Sequence, residues 1–572
     1  MKKWEVLRKL KVKSEKLKVE EIVDVLLENR GIKTNKEKEE FFNPTPPDEI
    51  SVESLGLSTR EINKTITRIK KAKVKKERVI VFGDYDADGV CATAILWECL
   101  HALGLDVLPY IPDRFSEGYG LKTESLQKLK AKTPKLKLII TVDNGIVANE
   151  GVDVANKLGI DVIITDHHQK GKRLPKAYAI VHTDKIGGAG IAWILAREIK
   201  KKPITNHQSL ITGLELAAIG TISDQLPLIG PNRSFAKYGL AALNNTKRLG
   251  LLALFEEAGL IDAKTRLRQR TSARQVGTYE VNFVIAPRIN AMGRMTHAID
   301  SLRLLCTRSY TKAQELAQLL GKTNSERQRV VEEVVAHARI EAEKRKWEGI
   351  MILQHERYHE GVIGLAASRL VEEFWRPAIV FSKGKTYSKA SARSIPGFNI
   401  IAAIRELDDM LLDGGGHPMA AGFTIATSKL KKFTQKLDKV SSSLLTDDLM
   451  TKKLKIDLEL HFKELNWELV DSIKKFEPSG IGNPTPTFVT KDVFPLDARV
   501  VGRDRKHLKL KLRQEDKIFS AIAFGFGEIY VKLSPENTID IAYRLEENIW
   551  NGNRNIELKI KDIKIDESYE KS

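Results

Sequence analysis

The 572-residue sequence predicts an α/β protein with a parallel sheet, a second, smaller α/β domain and a C-terminal β-barrel or sandwich. Short apolar runs alternate with helix-like runs from Arg78 onward, which is typical of a parallel sheet covered by helices on both faces. From residue 452 onward, apolar and polar residues alternate in runs such as LKIDLELHF and IELKIKDIKI. This second pattern is typical of small antiparallel barrels.

Five parts follow one another along the chain. Residues 1–77 are charged and helix-like, and their basic stretch KTITRIKKAKVKKER is better explained as a solvated helix face than as a phosphate-binding stripe. Alternating strands and helices, then a mostly helical stretch, occupy 78–307. One long charged helix spans 308–347, the second α/β domain covers 348–445, and the strand-rich tail covers 452–572.

The composition favours a polyanionic partner. Lysine and arginine total 94 against 75 acidic residues, a net charge of +19, and nucleic acid is the first candidate for such a basic chain. The N-terminus lacks the unbroken apolar stretch of a signal peptide, and no later stretch is long enough to span a membrane, so we expect a cytoplasmic protein. Cys91, Cys99 and Cys306 form no CxxC pair, which favours core thiols in a reducing compartment.

Acidic residues and histidines follow three of the predicted strands. Ligands bind at the carboxyl ends of strands in open parallel sheets, so these residues are placed where chemistry is expected. The residues after the strands RVIVFG, LIITV and DVIIT are Asp84, Asp86, Asp88, Asp143, Asp166, His167 and His168.

Carboxylates this close together repel one another unless cations lie among them, so the pattern predicts a metal site. A calcium loop is excluded because its twelfth position is Ile95 rather than glutamate. Mostly oxygen donors with one or two imidazoles suit manganese or magnesium better than zinc. Asp143, on the central strand of the three, is our choice for a carboxylate that bridges two ions in phosphodiester hydrolysis.

Side chains that are adjacent in the chain point in different directions and seldom bind the same ion, so we expect the two histidines to have different roles. We expect His167 to be the metal ligand, His168 to face the phosphate, and Asp166 to orient an imidazole. Asp224 ends an apolar helix-like run and, by itself, is more simply explained as a helix-terminal aspartate. The segment GGGHPMAAG suits either phosphate contacts or a plain glycine turn.

The motifs GDYDADG, PDRFSEGYG, TVDNG, TDHH, ISD, APRINAMGR, SARS and GGGHPMAAG, in this order, resemble those of the DHH phosphoesterase superfamily. The strongest resemblance is to its RecJ family of single-strand-specific DNA exonucleases, over roughly residues 78–570. It implies a DHH domain, a connecting helix, a DHH-associated domain and an OB-fold in the last four parts of the chain. It also implies two manganese or magnesium ions, held by Asp86, Asp88, Asp143, His167 and Asp224. Asp84 matches the first acid of the motif, and its role as a ligand or a supporting group stays open.

The resemblance further implies a set of DNA-contacting residues. Arg114 would line the path of the strand, and the loop APRINAMGR would support the substrate cleft. The DHH-associated domain would grip phosphates beyond the cut. The residues implied are Arg114, Arg288, Asn290, Arg294, Ser391, Arg393, Gly414, Gly415, Gly416 and His417. One departure is Ser479, where RecJ-like sequences more often carry an aromatic residue.

The implied activity is a 5′-to-3′ exonuclease that releases mononucleotides from single-stranded DNA in recombination and repair. Single-stranded DNA, a single-strand-binding protein and a helicase are the expected partners of a monomer without membrane contact. Two alternatives remain at this point. One is a DHH phosphodiesterase for short oligonucleotides or cyclic dinucleotides, and the other is a single-strand-binding protein without catalysis.

Overall fold

The structure is a computed structural model that describes residues 2–8, 17–201, 213–261, 275–344, 346–550 and 553–565. Parts of the predicted regions therefore lie outside the described residues. These are residues 1 and 9–16 of the N-terminal region, 202–212 and 262–274 of the helical stretch, 345 in the long charged helix, and 551–552 and 566–572 of the tail. The chain forms two units, one made of Met1–Thr45, Pro227–Arg233 and Lys452–Ser572, the other of Pro46–Leu226 and Ser234–Thr451.

The strands of the described chain are numbered in chain order. They are β1 Lys3–Arg8, β2 Arg78–Phe82, β3 Val107–Tyr110, β4 Leu136–Val142, β5 Asp161–Asp166, β6 Ala179–His182, β7 Met351–His355, β8 Ala378–Lys383, β9 Tyr387–Arg393, β10 Leu411–His417, β11 Ala420–Ala426, β12 Lys453–Glu459, β13 Phe488–Val501, β14 His507–Gln514, β15 Lys517–Ala523, β16 Ile539–Trp550 and β17 Asn553–Ile565.

The α-helices are numbered in the same way, and a π-helical turn, Val281–Ile285, joins α11 to α12. They are α1 Val19–Asn29, α2 Asn35–Phe42, α3 Thr59–Val74, α4 Ala87–Ala102, α5 Thr123–Lys132, α6 Asn149–Lys157, α7 Gly188–Lys200, α8 Leu214–Ser223, α9 Gly230–Asn244, α10 Leu249–Glu257, α11 Thr278–Glu280, α12 Ala286–Met295, α13 Ile299–Cys306, α14 Tyr310–Glu343, α15 Ile363–Phe374, α16 Ile400–Arg405, α17 Leu430–Ser442, α18 Asp447–Met450 and α19 Trp467–Lys474.

The larger unit begins with the predicted parallel sheet, whose strand order is β3-β2-β4-β5-β6. Its strands are apolar on both faces, and Leu138, Ile139 and Ile140 of β4 are fully buried, as expected for a sheet covered on both sides. Because β4 lies between β2 and β5, the ends of the three acid-bearing strands are neighbours.

A second sheet in the same unit confirms the smaller α/β domain. Its order is β10-β11-β9-β8-β7, with β7 and β8 parallel and the other pairs antiparallel. The predicted charged helix is α14, which buries a stripe that includes Leu320, Val331 and Val335. Gly414–Gly416 and His417 do not form a glycine turn, because they are the end of the exposed edge strand β10. Pairing with β11 satisfies one side of this strand and holds it extended.

The C-terminal strands confirm the predicted barrel. Strands β13, β14, β15, β17 and β16 are hydrogen-bonded in this order, and β16 pairs back onto β13, which closes the barrel. The N-terminal region was predicted to be helical, but Lys3–Arg8 is a strand that pairs in parallel with β12. Trp4 and Val6 pack against Ile456 and Val489, so every second side chain faces the barrel sheet.

A buried arginine ties together three segments of the barrel unit. Arg233 is 1% exposed, and its guanidinium donates hydrogen bonds only to backbone carbonyls within the described chain. Burial lowers the pKa of Arg233 to about 10, so the group remains charged at neutral pH. The carbonyls that accept from it belong to Phe41, Lys475, Phe476, Glu477 and Pro478.

Three smaller expectations concern a helix face, the cysteines and membrane contact. The basic stretch lies on α3, but Arg68 points inward and pairs with Glu77 and Asp161, so the helix face is not solvated throughout.

Cys91 and Cys99 are buried and Cys306 is half-buried, all as free thiols. Nowhere in the described part of the chain is a helix both long and apolar enough to cross a membrane.

Candidate active site

The acidic residues lie where backbone geometry fixes their direction. Asp86 caps the N-terminus of α4, since its Oδ1 accepts a hydrogen bond of 3.0 Å from the backbone N–H of Gly89. Asp143 follows β4 directly and has a left-handed backbone, with φ of 63°. Asp224 is the C-cap residue of α8, as the sequence predicted for a helix-terminal aspartate.

Asp88 is anchored by the start of another helix. Its two oxygens accept hydrogen bonds from the backbone N–H groups of Gly188, at 2.7 Å, and Ala189, at 2.9 Å, in the first turn of α7. Glycine is required here, because a Cβ atom at Gly188 would lie 2.5 Å from Cβ of Asp143. A Cβ atom at Gly220 of α8 would overlap Oδ1 of Asp88.

The predicted ligands come together in overlapping groups. In each group, one ligand atom per residue lies within 4.8 Å of the others. The groups are Asp84, Asp86 and Asp143; Asp88, His167 and Asp224; and Asp143, His167 and His168.

The imidazole of His167 lies close to carboxylates from all three groups. Its Nε2 atom lies 3.0 Å from Oδ1 of Asp143, 3.6 Å from Oδ2 of Asp224 and 3.9 Å from Oδ2 of Asp88. Burial and the neighbouring charge of His168 lower the pKa of His167 to about 4, so the ring is neutral and able to act as a ligand.

The buried carboxylates of the cluster lie so close together that their negative charges need cations for compensation. Burial and neighbouring carboxylates raise the pKa values of Asp84 and Asp143 well above the ordinary range, that of Asp88 to about 7 and that of Asp224 to about 8. The Oδ1 atoms of Asp84 and Asp143 are buried and accept no hydrogen bond from the described residues. Divalent cations would compensate these oxygens, and the mostly oxygen donor set fits manganese or magnesium.

Asp166 fixes the orientation of the imidazole ring of His168. Its Oδ1 accepts hydrogen bonds from the backbone N–H groups of His167 and His168 and lies 2.8 Å from Nδ1 of His168, while its Oδ2 accepts one from Ile146 N–H. Burial alone would raise the pKa of Asp166, but these contacts outweigh it and lower the pKa. Burial would likewise lower the pKa of His168, but Asp166 raises it to about 9. A protonated His168 suits a role facing an anion better than a role as a ligand.

A cavity of about 310 Å³ in the same unit gathers three predicted DNA-contacting arginines. Arg114, Arg294 and Arg393 line it together with Ser391, whose Oγ accepts a hydrogen bond from Arg393. Burial and the charges of the other arginines lower the pKa of Arg294 to about 9, and burial and Arg114 also lower the pKa of Arg393. An anion in this cavity would relieve the repulsion among the three guanidinium groups.

Other predicted contact residues do not line this cavity. Asn290 lies against the segment 84–88, here called the metal loop, and its Oδ1 accepts a hydrogen bond of 2.7 Å from Ala87 N–H. Arg288 pairs with Glu257 at 2.6 Å. His417 lies close enough to His167 to interact with that ring electrostatically. The DNA-binding roles of these residues, and of Gly414–Gly416, stay predictions.

Two residues near the site were missed in the sequence. Tyr119 lies in the motif PDRFSEGYG, and its hydroxyl is 3.4 Å from Nδ1 of His168. Arg327 of α14 is repelled by Arg369 and Arg288, and its buried Nε has no acceptor among the described residues. Tyr119 could have been noticed from its motif, whereas Arg327 is one of many charges on a long helix and only its three-dimensional neighbours single it out.

Three family models match the chain. Residues 78–221 match the DHH family N-terminal domain, residues 348–443 the DHHA1 domain and residues 456–562 the RecJ OB domain.

Similar proteins include the single-stranded-DNA-specific exonucleases RecJ of Bacillus subtilis (strain 168) and Escherichia coli (strain K12). The first is 33% identical over 99% of this chain and 71% of its own length, and the second is 31% identical over 88% and 90%. The crystal structure of RecJ from Thermus thermophilus in complex with Mn²⁺ superposes with a TM-score of 0.77 and 30% identity, over 95% of this chain and 76% of that one. The complex of that protein with Mg²⁺ gives a TM-score of 0.72.

Proposed function

Since this chain belongs to the RecJ family and is a metal-dependent exonuclease specific for single-stranded DNA, we propose that it degrades the strand from its 5′ end to mononucleotides during recombination and repair. The observation that supports the activity most directly is the convergence of Asp143 and His167, at the ends of adjacent strands, on a buried carboxylate cluster. The same unit holds a cationic cavity suited to the phosphates of the substrate.

Each group of residues has its own task in the proposed reaction. Two divalent cations, when bound, supply an activated water and neutralise charge on the scissile phosphate. Asp143 and His167 each belong to two of the three ligand groups, and Asp143 is the proposed shared ligand because a carboxylate, unlike an imidazole ring, has two oxygens with which to bridge two ions. His168, kept protonated by Asp166, stabilises negative charge on the phosphate. Arg114, Arg393 and Ser391 hold a neighbouring phosphate and so fix the register of the strand.

The partners and the setting are further parts of this proposal. The barrel supplies a second surface for the single strand, since OB-folds bind single strands through basic grooves and stacked bases. We expect a monomeric cytoplasmic enzyme that receives its strand from a helicase and a single-strand-binding protein. These expectations draw on the family and on the basic composition of the chain.

The polarity can be tested with oligonucleotides labelled at either end. With Mn²⁺ present, a 5′-labelled single strand should release labelled mononucleotide at once, whereas a 3′-labelled strand should shorten step by step. A duplex with blunt ends serves as the control and should stay intact. Early release of the label from the 3′-labelled strand would refute the proposed polarity without affecting the metal site.

A further inference from the structure

Two aromatic side chains on one helical segment lie exposed outside the metal site. Tyr279 is 61% exposed and Phe283 is 67% exposed, although each carries a large apolar ring. Their ring centroids are 5.0 Å apart and the ring planes meet at 36°. Single exposed apolar residues are common on proteins, but two adjacent aromatic rings form a continuous patch that indicates a binding partner.

The backbone holds these rings outward. Val281 and Ile285 of the π-helical turn are fully buried, so the opposite side of the segment is fixed against the protein. Glu280 adds a second attachment, since its carboxylate accepts a hydrogen bond of 2.9 Å from Gly277 N–H. Residues four positions apart share a helix face, which places Tyr279 and Phe283 side by side. The π-helical turn is itself a feature often found at functional sites.

The same segment is attached to the metal loop. It continues into α12, where Asn290 accepts the hydrogen bond from Ala87 N–H, between the metal ligands Asp86 and Asp88. At about 1.5 Å per residue, Phe283 lies about 10 Å from Asn290 along the helix axis. The aromatic pair is thus held within a few nucleotides of the site at which the strand is cut.

Two arginines lie on α12, which continues the segment, and on α14, which packs against α12. Arg288 follows Phe283 by just over one turn and pairs with Glu257. Burial and the charges of Arg369 and Arg288 lower the pKa of Arg327. The Nε of Arg327 is buried and has no acceptor among the described residues. Aromatic rings together with a cationic surface are the combination with which proteins bind the bases and the phosphates of a single strand.

We propose that Tyr279 and Phe283 form a stacking platform for unpaired bases of the DNA strand, separate from the metal centre and from the barrel. The inference rests on the proposed function, because it assigns a base-binding subsite to the same substrate. Stacking needs no particular base, so the platform adds affinity for a single strand without sequence preference. A duplex, whose bases are already stacked, gains nothing from it.

Binding without cleavage provides the test. The affinity of the full-length protein for a fluorescein-labelled oligothymidylate of about twenty nucleotides is measured by titration in EDTA, where no hydrolysis occurs. The double variant Tyr279→Leu/Phe283→Leu keeps apolar side chains but removes both rings, and it should bind about tenfold more weakly. The matched variant Tyr279→Phe/Phe283→Tyr keeps both rings and should bind as the wild type does.

The kinetics provide a second measurement with Mn²⁺ present. In the leucine variant, KM for the long strand should rise about tenfold at unchanged kcat, while hydrolysis of a dinucleotide, which is too short to reach the platform, should be unaltered. Equal affinity of the leucine variant and the wild type would overturn the platform. So would loss of a dimer in the leucine variant by light scattering, because the patch would then be a contact between copies. Failure of the wild type to cleave any strand would instead refute the proposed function.

Discussion

Nε2 of His167 and Oδ1 of Asp143 lie 3.0 Å apart, yet Oδ1 of Asp143 accepts no hydrogen bond from the described residues. The two atoms come from the ends of adjacent strands, β5 and β4, and both belong to groups able to hold a cation. A neutral imidazole and a buried carboxylate oxygen placed together in this way offer two lone pairs to one ion. Replacement of either side chain should therefore weaken the binding of that ion.

Asp143→Asn should lower exonuclease activity by more than about a hundredfold, because it removes charge from the carboxylate shared by two ligand groups. Release of nucleotides from a labelled single strand with Mn²⁺ measures the effect. Asp153→Asn, at a partly exposed carboxylate of α6, is the matched control and should retain full activity. Substantial activity in the Asp143 variant would contradict the assigned metal centre.

The metal-free protein should lose stability as pH rises. The folded pKa values of Asp88, about 7, and Asp224, about 8, lie above the ordinary carboxyl value of the unfolded chain. The folded state therefore binds more protons than the unfolded state from about pH 4 to about pH 8, and the free energy of unfolding falls across that window. Calorimetry in EDTA should show a falling Tm, and added Mn²⁺ should restore it at the upper end. A Tm independent of both pH and metal would rule out the proposed dependence of stability on the protonation of Asp88 and Asp224.

Asn290→Ala should reduce activity about 10-fold to 100-fold, because Ala87 N–H loses the acceptor that positions the metal loop. If Asn290 acts through the loop, binding of a single strand in EDTA should be unchanged. Weaker binding in EDTA with unaltered Mn²⁺ affinity would instead support a direct contact with DNA. Isothermal titration with Mn²⁺ separates the two outcomes.

Arg393→Gln should weaken binding of all single strands alike and lower the slope of log affinity against log salt by about one unit, because one phosphate contact is lost. Fluorescence anisotropy at several salt concentrations gives the slope. Arg405→Gln, which removes an exposed arginine from α16 of the same domain, should leave the slope unaltered. Equal slopes for wild type and Arg393→Gln would exclude a phosphate contact by this side chain.

Arg233→Met should lower the free energy of unfolding of the barrel unit by about 3 kcal/mol, because buried carbonyls lose their donor. Chemical denaturation followed by circular dichroism measures the loss. The exposed Arg499 offers a control, since Arg499→Met should change the stability by less than about 0.5 kcal/mol. A fully stable Arg233 variant would show that the carbonyls find other donors.

The order of the parts and the convergence of the predicted ligands could be predicted because their signals are local. Alternation of strands and helices locates the sheet, and an acid directly after a strand must lie at its carboxyl end, as Asp143 does. The position of Asn290 could not be predicted, since it depends on a contact with Ala87, 203 residues away in the chain. Strand β1 was missed for a similar reason: its residues become a strand only by pairing with β12.

Gly188 and Gly220 lie behind Asp143 and Asp88 with no space for a methyl group. Even alanine, the most conservative replacement, would displace the carboxylate of Asp143 or of Asp88, two of the predicted ligands. Any side chain at these positions therefore requires a carboxylate to move, and we expect hydrolysis to fall with the first added methyl group. In a comparison of many related sequences, loss of either glycine should mark lineages that have given up hydrolysis, even where every acidic residue and histidine is still in place.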